Sequence, residues 1–251
     1  MTRTKLLSGL LALALLFAPN FAFAAIAFDN STTNTSSGTS ITISNFAVAA
    51  TNPFLTVVVS NWGASTDLVT GITYNGVAMT LLSGASTKIE NGNPTEGYMT
   101  VYYLAGQSGT HNIVISSSGA GIGASSGISV ASYTGVNQAS PIDSSAVHTY
   151  PSNTTAPSVS TTVVASNAWA ISMEADGNGS GESVDSPFTL RLSPQTYIRY
   201  ADSNGTVPTG SLTAQWHNGS AQASVSVFSI APAVTASVAT SFGTVTTFGD
   251  W

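Results

Sequence analysis

A calcium loop needs oxygen ligands at alternate positions with glycines where the backbone turns sharply, and one run of the 251-residue chain has that form: Asp176-Gly177-Asn178-Gly179-Ser180-Gly181-Glu182. Carboxylate, amide and hydroxyl oxygens fill positions 1, 3 and 5, and a glycine stands at position 6. The twelfth position is Pro187, so the bidentate glutamate of an EF-hand is missing and Asp185 is the residue that would substitute. Asp176, Asn178, Ser180, Glu182 and Asp185 are therefore the candidate metal ligands, with calcium as the candidate ion. The plainer reading of the same run is a glycine-rich hairpin loop with solvated acids, and it is the favoured one. A second oxygen cluster, Glu90, Asn91, Asn93 and Glu96, reads in the same way as a solvated turn.

Sugar recognition calls for aromatic faces that stand clear of the core. Trp62, next to Gly63 in a loop, is the first choice for such a platform, with Tyr150 and Tyr197 behind it. Trp169 and Trp216 keep phase with apolar neighbours and belong to the core instead. Catalysis finds less support. Gly123-Ala124-Ser125-Ser126-Gly127 matches the G-x-S-x-G elbow, but the segment after it reads as a strand where the elbow requires a helix. The histidines, His111, His148 and His217, are scattered without a metal-binding spacing. The chain is expected not to be an enzyme.

The elements that would position these residues are strands. Leu55 to Ser60 is a buried-looking β run; after a polar loop, Ile72-Thr73-Tyr74 and Val77-Ala78-Met79 flank Asn75-Gly76. Asn-Gly supplies the two positive-φ residues of a type I′ turn, which predicts a hairpin with Tyr74 opposite Val77 and Ile72 opposite Met79. Further alternating runs follow at Ile41 to Ser44, Tyr98 to Leu104, Thr110 to Ser116, Ile128 to Thr134, Val159 to Val164, Trp169 to Met173, Phe188 to Leu192, Leu212 to Trp216 and Val225 to Val227. Ala25 to Phe28 reads as a short strand and Asp29 to Ser40 as a loop. No internal repeat and no helical period stand out beyond the N-terminus. The pattern predicts an all-β protein, a single antiparallel two-sheet β-sandwich, jelly-roll-like, over residues 25–232.

The two ends read differently. Arg3 and Lys5 precede a twelve-residue apolar run, Leu6 to Phe17, and Ala22-Phe23-Ala24 has the small-x-small pattern of a cleavage site, so residues 1–24 read as a secretory signal. Twelve apolar residues are too few to span a bilayer, so no retained span is expected. Residues 233–251 form an alternating tail of low charge, with Asp250 its one ionisable side chain, a candidate extra strand that pairs within its own subunit or is exchanged with a neighbour.

Composition narrows the partners. Only 6% of residues are charged, against about a quarter in ordinary domains, while 43% are hydrophobic. Without residues 1–24 the basic residues are Lys88, Arg191 and Arg199, facing eleven acids, which argues against nucleic acid. Cysteine is absent, so the core must hold by burial and sheet hydrogen bonds. A neutral, hydroxyl-rich surface suits a secreted or cell-surface location.

Tyr74-Asn75-Gly76-Val77-Ala78-Met79-Thr80, Gly109-Thr110-His111-Asn112-Ile113, Tyr133-Thr134-Gly135-Val136-Asn137-Gln138 and Pro141-Ile142-Asp143, with Val227 to Ala231 closing, together resemble a widespread family of secreted bacterial and phage-associated β-sandwich modules. The resemblance covers about Ala25 to Pro232 and implies a jelly-roll or immunoglobulin-like sandwich, without catalytic residues to carry over. The function expected from these readings is a non-catalytic structural or surface module that self-associates through sheet edges, for a filament, a surface layer or adhesion. A carbohydrate-binding module with a glycan partner, supported by calcium, is the alternative.

Overall fold

The computed structural model describes residues 22–63, 65–82, 87–89, 97–124, 126–177, 183–192 and 198–235. All regular structure among them is β, and every pairing is antiparallel. At the two ends of the described residues, β1 (Ala22–Phe23) pairs with Val234–Thr235 as a two-strand ribbon. The compact body is Ala24 to Ala233.

The first half of the body contains β2 (Ala27–Asn34), β3 (Ser40–Val48), β4 (Phe54–Trp62), β5 (Val69–Tyr74), β6 (Val77–Ala78), β7 (Thr80–Leu81), β8 (Thr87–Ile89), β9 (Gly97–Ala105), β10 (Gly109–Ser117) and β11 (Gly127–Thr134). They alternate between an outer sheet in the order β3-β10-β5-β6 and an inner sheet in the order β2-β11-β4-β9-β7, with β8 also on β9. The hairpin between β5 and β6 follows from its turn. Asn75 and Gly76 have φ of 53° and 75°, and Tyr74 faces Val77, as the sequence predicts. Met79, whose N–H donates to the Ile72 carbonyl at 2.8 Å, is where the chain leaves the outer sheet for the inner one.

The second half contains β12 (Ile142–Thr154), β13 (Ser158–Val163), β14 (Trp169–Asp176), β15 (Ser183–Val184), β16 (Thr189–Leu192), β17 (Ile198–Asp202), β18 (Gly210–His217) and β19 (Ala221–Ile230); β20 is Val234–Thr235, the partner of β1. Its inner sheet runs β12-β19-β14-β17-β16 and its outer sheet β13-β18-β15. In each half the inner sheet lines up the first, last and third strands, and the outer sheet the second, penultimate and fourth. Strands that alternate between facing sheets, with first beside last, have the connectivity of a jelly roll. The same connectivity therefore occurs twice, without a repeat that the sequence displays.

Three apolar clusters define four layers. Ile41, Ile43, Ile72, Ile113 and Ile115 of the first outer sheet meet Leu55, Val57, Val59 and Val130 of the first inner sheet. The opposite face of that inner sheet, with Phe54, Val58, Met99, Val101 and Tyr133, meets Ile171, Met173, Ile198, Tyr200 and Phe228 of the second inner sheet. The far face of the second inner sheet, with Ala170, Ala201, Val225 and Val227, meets Val159, Leu212, Ala214 and Trp216. The middle strands of both inner sheets, β4 and β11 in the first and β14 and β19 in the second, are thus buried on both faces. Burying a large apolar side chain contributes about 1.5–3 kcal/mol, so each of the three interfaces can stabilise the body substantially.

The expected single two-sheet sandwich is corrected to four sheets in two sandwiches, stacked through their inner sheets. The physical reason lies in strands without a wet face: β4 is buried from Phe54 to Asn61, and β14 is buried at every residue. Two edge strands also differ from expectation. The polar segment Asp29 to Asn34, read as loop, is the continuation of β2 along β11, and the thirteen-residue β12, unmarked by apolar alternation, pairs with β19. An edge strand has neighbours on one side only, so it can be built from Ser, Thr and Asn and leave no apolar pattern.

Candidate functional site

On the exposed face of the first outer sheet, three asparagines surround a shallow groove of about 380 Å³. The sheet is locally irregular there. Pairing between β3 and β10 shifts between His111 and Ile113, so that Ser44 and Asn45 together oppose Asn112 in a β-bulge. Asn45 occupies the extra position at φ 56°, a left-handed conformation that asparagine tolerates better than most residues. Its N–H donates to Asn112 Oδ1 at 3.1 Å, while the Asn75 N–H donates to the Asn112 carbonyl at 3.2 Å. Asn112 therefore ties the bulge to the hairpin tip. Thr73, Thr110, His111 and Val114 complete the lining, and none of the groove side chains carries a fixed charge at neutral pH.

Beneath this surface, Tyr74 anchors the sheet. It is fully buried, its hydroxyl lies 2.7 Å from the Gly109 carbonyl and 3.1 Å from that of Phe46, and its ring meets His111 edge-on at 5.5 Å. Burial first, and the Asp29 charge second, raise its pKa above the ordinary tyrosine value.

A second polar constellation lies between the two inner sheets. The Tyr133 hydroxyl donates to Asp202 Oδ2 at 2.9 Å and lies 3.1 Å from the Tyr200 hydroxyl, which is itself 2.8 Å from Thr56 Oγ1. Arg191 Nε donates to the same Asp202 oxygen at 2.8 Å, and the Asn204 N–H donates to Oδ1 at 2.9 Å. The Arg191 guanidinium also lies 4.6 Å above the Phe28 ring. Both carboxylate oxygens of Asp202 are satisfied, which is what a fully buried charge requires. Burial is the main cause that drives the pKa values of Tyr133 and Tyr200 upward. These are ties between halves rather than open chemistry.

The residues singled out from sequence are dispersed. Asp176 is fully buried at the end of β14, two residues from the equally buried Glu174, whereas Asp185 is exposed and bonds His217 Nε2 at 2.9 Å. Asn178, Ser180, Glu182 and Tyr197 lie outside the described residues, as do Ser125 and the oxygens between Glu90 and Glu96. Among the described residues no group of three or more His, Asp or Glu is placed to hold a metal ion. Trp62 is half-buried against the cluster between the inner sheets, and a Cβ on Gly177 would meet its Cη2 at 3.2 Å. Its ring is laid onto the protein. Tyr150 is engaged too: its hydroxyl donates to the Ser158 carbonyl at 2.8 Å and accepts the Ser158 N–H at 2.9 Å. Trp169 and Trp216 are core residues, as expected. Sequence reasoning marked Asn75 for its turn but missed Asn45 and Asn112, because the register that brings them together is invisible along the chain.

Edges form the other available surface. Strands β2, β3, β12 and β13 each end a sheet order, and none carries a lysine or arginine. Their two acids are occupied internally. Asp29 accepts from Ala49 N and Ser132 Oγ, and Asp143 from Val164 N, Ala165 N and Ser229 Oγ.

No protein-family model matches the chain, and no curated protein is detectably similar to it. Among the described residues no helix is long and apolar enough to cross a membrane.

Proposed function

We propose that the chain is a non-catalytic structural module that acts outside the cell or at its surface and associates with copies of itself through its sheet edges. The observation that carries this reading is the absence of lysine and arginine from β2, β3, β12 and β13. A strand at the end of a sheet exposes unpaired N–H and C=O groups, and monomeric proteins ordinarily guard such edges with lysine, proline or a bulge. Here β2 and β12 are interrupted by register shifts and β12 holds Pro151, whereas β3 has one bulge at Asn45 and its stretch from Ser40 to Ile43 is regular and uncharged. Two copies that meet edge to edge would continue a sheet across the contact, with main-chain hydrogen bonds supplying the affinity. The four-layer stack suits the role, since a body buried on both faces of its inner sheets transmits strain with little deformation.

The test is the oligomeric state of the purified chain beginning at residue 25. Size-exclusion chromatography with light scattering and negative-stain electron microscopy should show concentration-dependent oligomers or filaments. Thr42→Lys with Ser44→Lys, both at exposed positions on β3, should dissociate them. Deleting residues 236–251 separates edge pairing from donation of the tail as a strand: assemblies that survive the deletion depend on the edges. A wild-type chain that stays monomeric at every accessible concentration would refute the reading.

A further inference from the structure

We infer that the groove over Asn45, Asn75 and Asn112 is a binding site for a neutral, polyhydroxylated ligand, the terminal or internal sugar residues of an uncharged glycan. Three observations converge. The cavity of about 380 Å³ falls within the size range of small-ligand sites. Its polar groups are amides and hydroxyls, so each asparagine side chain presents a donor and an acceptor side by side, the complement of neighbouring hydroxyls on a sugar ring. Among the described residues the side chains of Asn45, Thr73, Asn75 and Thr110 make no hydrogen bond within the protein, which leaves their capacity for a ligand or water.

The backbone holds these groups in place. Asn112 Oδ1 is already engaged by the Asn45 N–H, so its amide nitrogen is the group left to donate. The bulge at Asn45 and the turn at Asn75 both use left-handed conformations, and Asn112 connects them through one bond to each. Val114 offers a small apolar floor for the C–H face of a sugar ring. An anionic ligand finds no arginine or lysine in the lining, and a cation finds no carboxylate. The groove borders the β3 edge through Asn45, beyond the regular stretch from Ser40 to Ile43, and it differs from the Trp62 platform expected from sequence.

The same conformations supply the variant. Glycine adopts positive φ freely, so Asn45→Gly and Asn75→Gly remove the two amides without straining the bulge or the turn. The experiment titrates the purified chain, wild type and double variant, with maltohexaose, cellohexaose, laminarihexaose and chitohexaose, followed by two-dimensional NMR of the backbone amides, with heparin hexasaccharide as the charged comparison. At least one neutral oligosaccharide should perturb the resonances of Thr73 to Gly76 and Thr110 to Val114, and the double variant should bind it about tenfold more weakly at an unchanged melting temperature. No binding by any neutral probe at millimolar concentration, preference for the heparin fragment, perturbations elsewhere, or equal affinity of the folded double variant would each overturn the assignment.

Discussion

The two sandwiches share a strand order and differ in what lies between their strands. In the first, the chain between the third and the last pair of strands makes the tight Asn75-Gly76 hairpin, which extends the outer sheet to four strands and closes one side of the groove. In the second, the corresponding outer sheet stops at three strands with the two-residue β15, and among its described residues no such hairpin forms. Their inner sheets differ as well. That of the second half carries the ionisable residues Glu174, Asp176, Arg199 and Asp202 buried, whereas the buried polar residues on β4, β9 and β11 are Thr56, Ser60, Asn61, Thr100, Ser129 and Ser132, none of them ionisable in the ordinary range. Connectivity is therefore set by which residues face an apolar neighbour, and the special surface by local turn and bulge chemistry added to it.

The comparison breaks most directly at the interface between the halves. Phe228, fully buried between the inner sheets, should cost about 4 kcal/mol on replacement by alanine, from lost burial and the cavity left behind. Urea unfolding followed by tryptophan fluorescence and by circular dichroism checks this. Coincident curves would mean that the halves unfold as one unit, and separated curves that each sandwich stands alone.

Asp202→Ala should cost about 3 kcal/mol by the same measurement, because it leaves the Tyr133 hydroxyl and the Arg191 guanidinium without their shared acceptor. Asp202→Asn keeps an oxygen in place and should recover part of that loss.

Alkaline pH sharpens the contrast. Burial holds Tyr133 and Tyr200 protonated above the ordinary tyrosine range. Below about pH 10 both states keep these protons and the stabilisation is complete. Above it the unfolded chain releases protons that the folded chain retains, so stability falls as pH rises toward the folded values. Tyr133→Phe with Tyr200→Phe should flatten the decline in a series of melting temperatures between pH 9 and 11.

The smallest effect is expected at the hairpin. Alanine tolerates φ of 53° less well than asparagine, whose short polar side chain favours the left-handed region, so Asn75→Ala should cost about 1 kcal/mol, and Asn75→Gly almost nothing. Thermal melts of the pair separate turn geometry from the amide that the groove uses.

How far the chain could be read follows from the same physics. The Asn75-Gly76 turn, the register of Tyr74 against Val77, and the core placement of Trp169 and Trp216 were legible, because each depends on neighbours close in sequence or on strict alternation. The number of sheets was not. Leu55 to Ser60 announces burial, but burial on two faces by two different partners leaves the same letters as burial on one face plus a few small residues. The edge strands β2 and β12 were hidden by their polarity, since one open side removes the need for apolar partners. Of the groove, only Asn75 was visible. Asn45 and Asn112 are 67 residues apart and meet because a ladder slips by one residue. Trp62 illustrates the converse: expected in a loop, it closes β4, and its ring lies against a glycine 115 positions downstream.

The double-sided burial of the two middle sheets carries one more consequence, for how such a molecule can change over time. Six of its eight sheet faces are locked against one another inside the slab, so new recognition can arise only on the two outermost faces, on the rims and in the loops. A lineage built on this plan would keep its interior nearly frozen while its periphery drifted, and a substitution map of the chain would show that division as layers rather than as two consecutive halves.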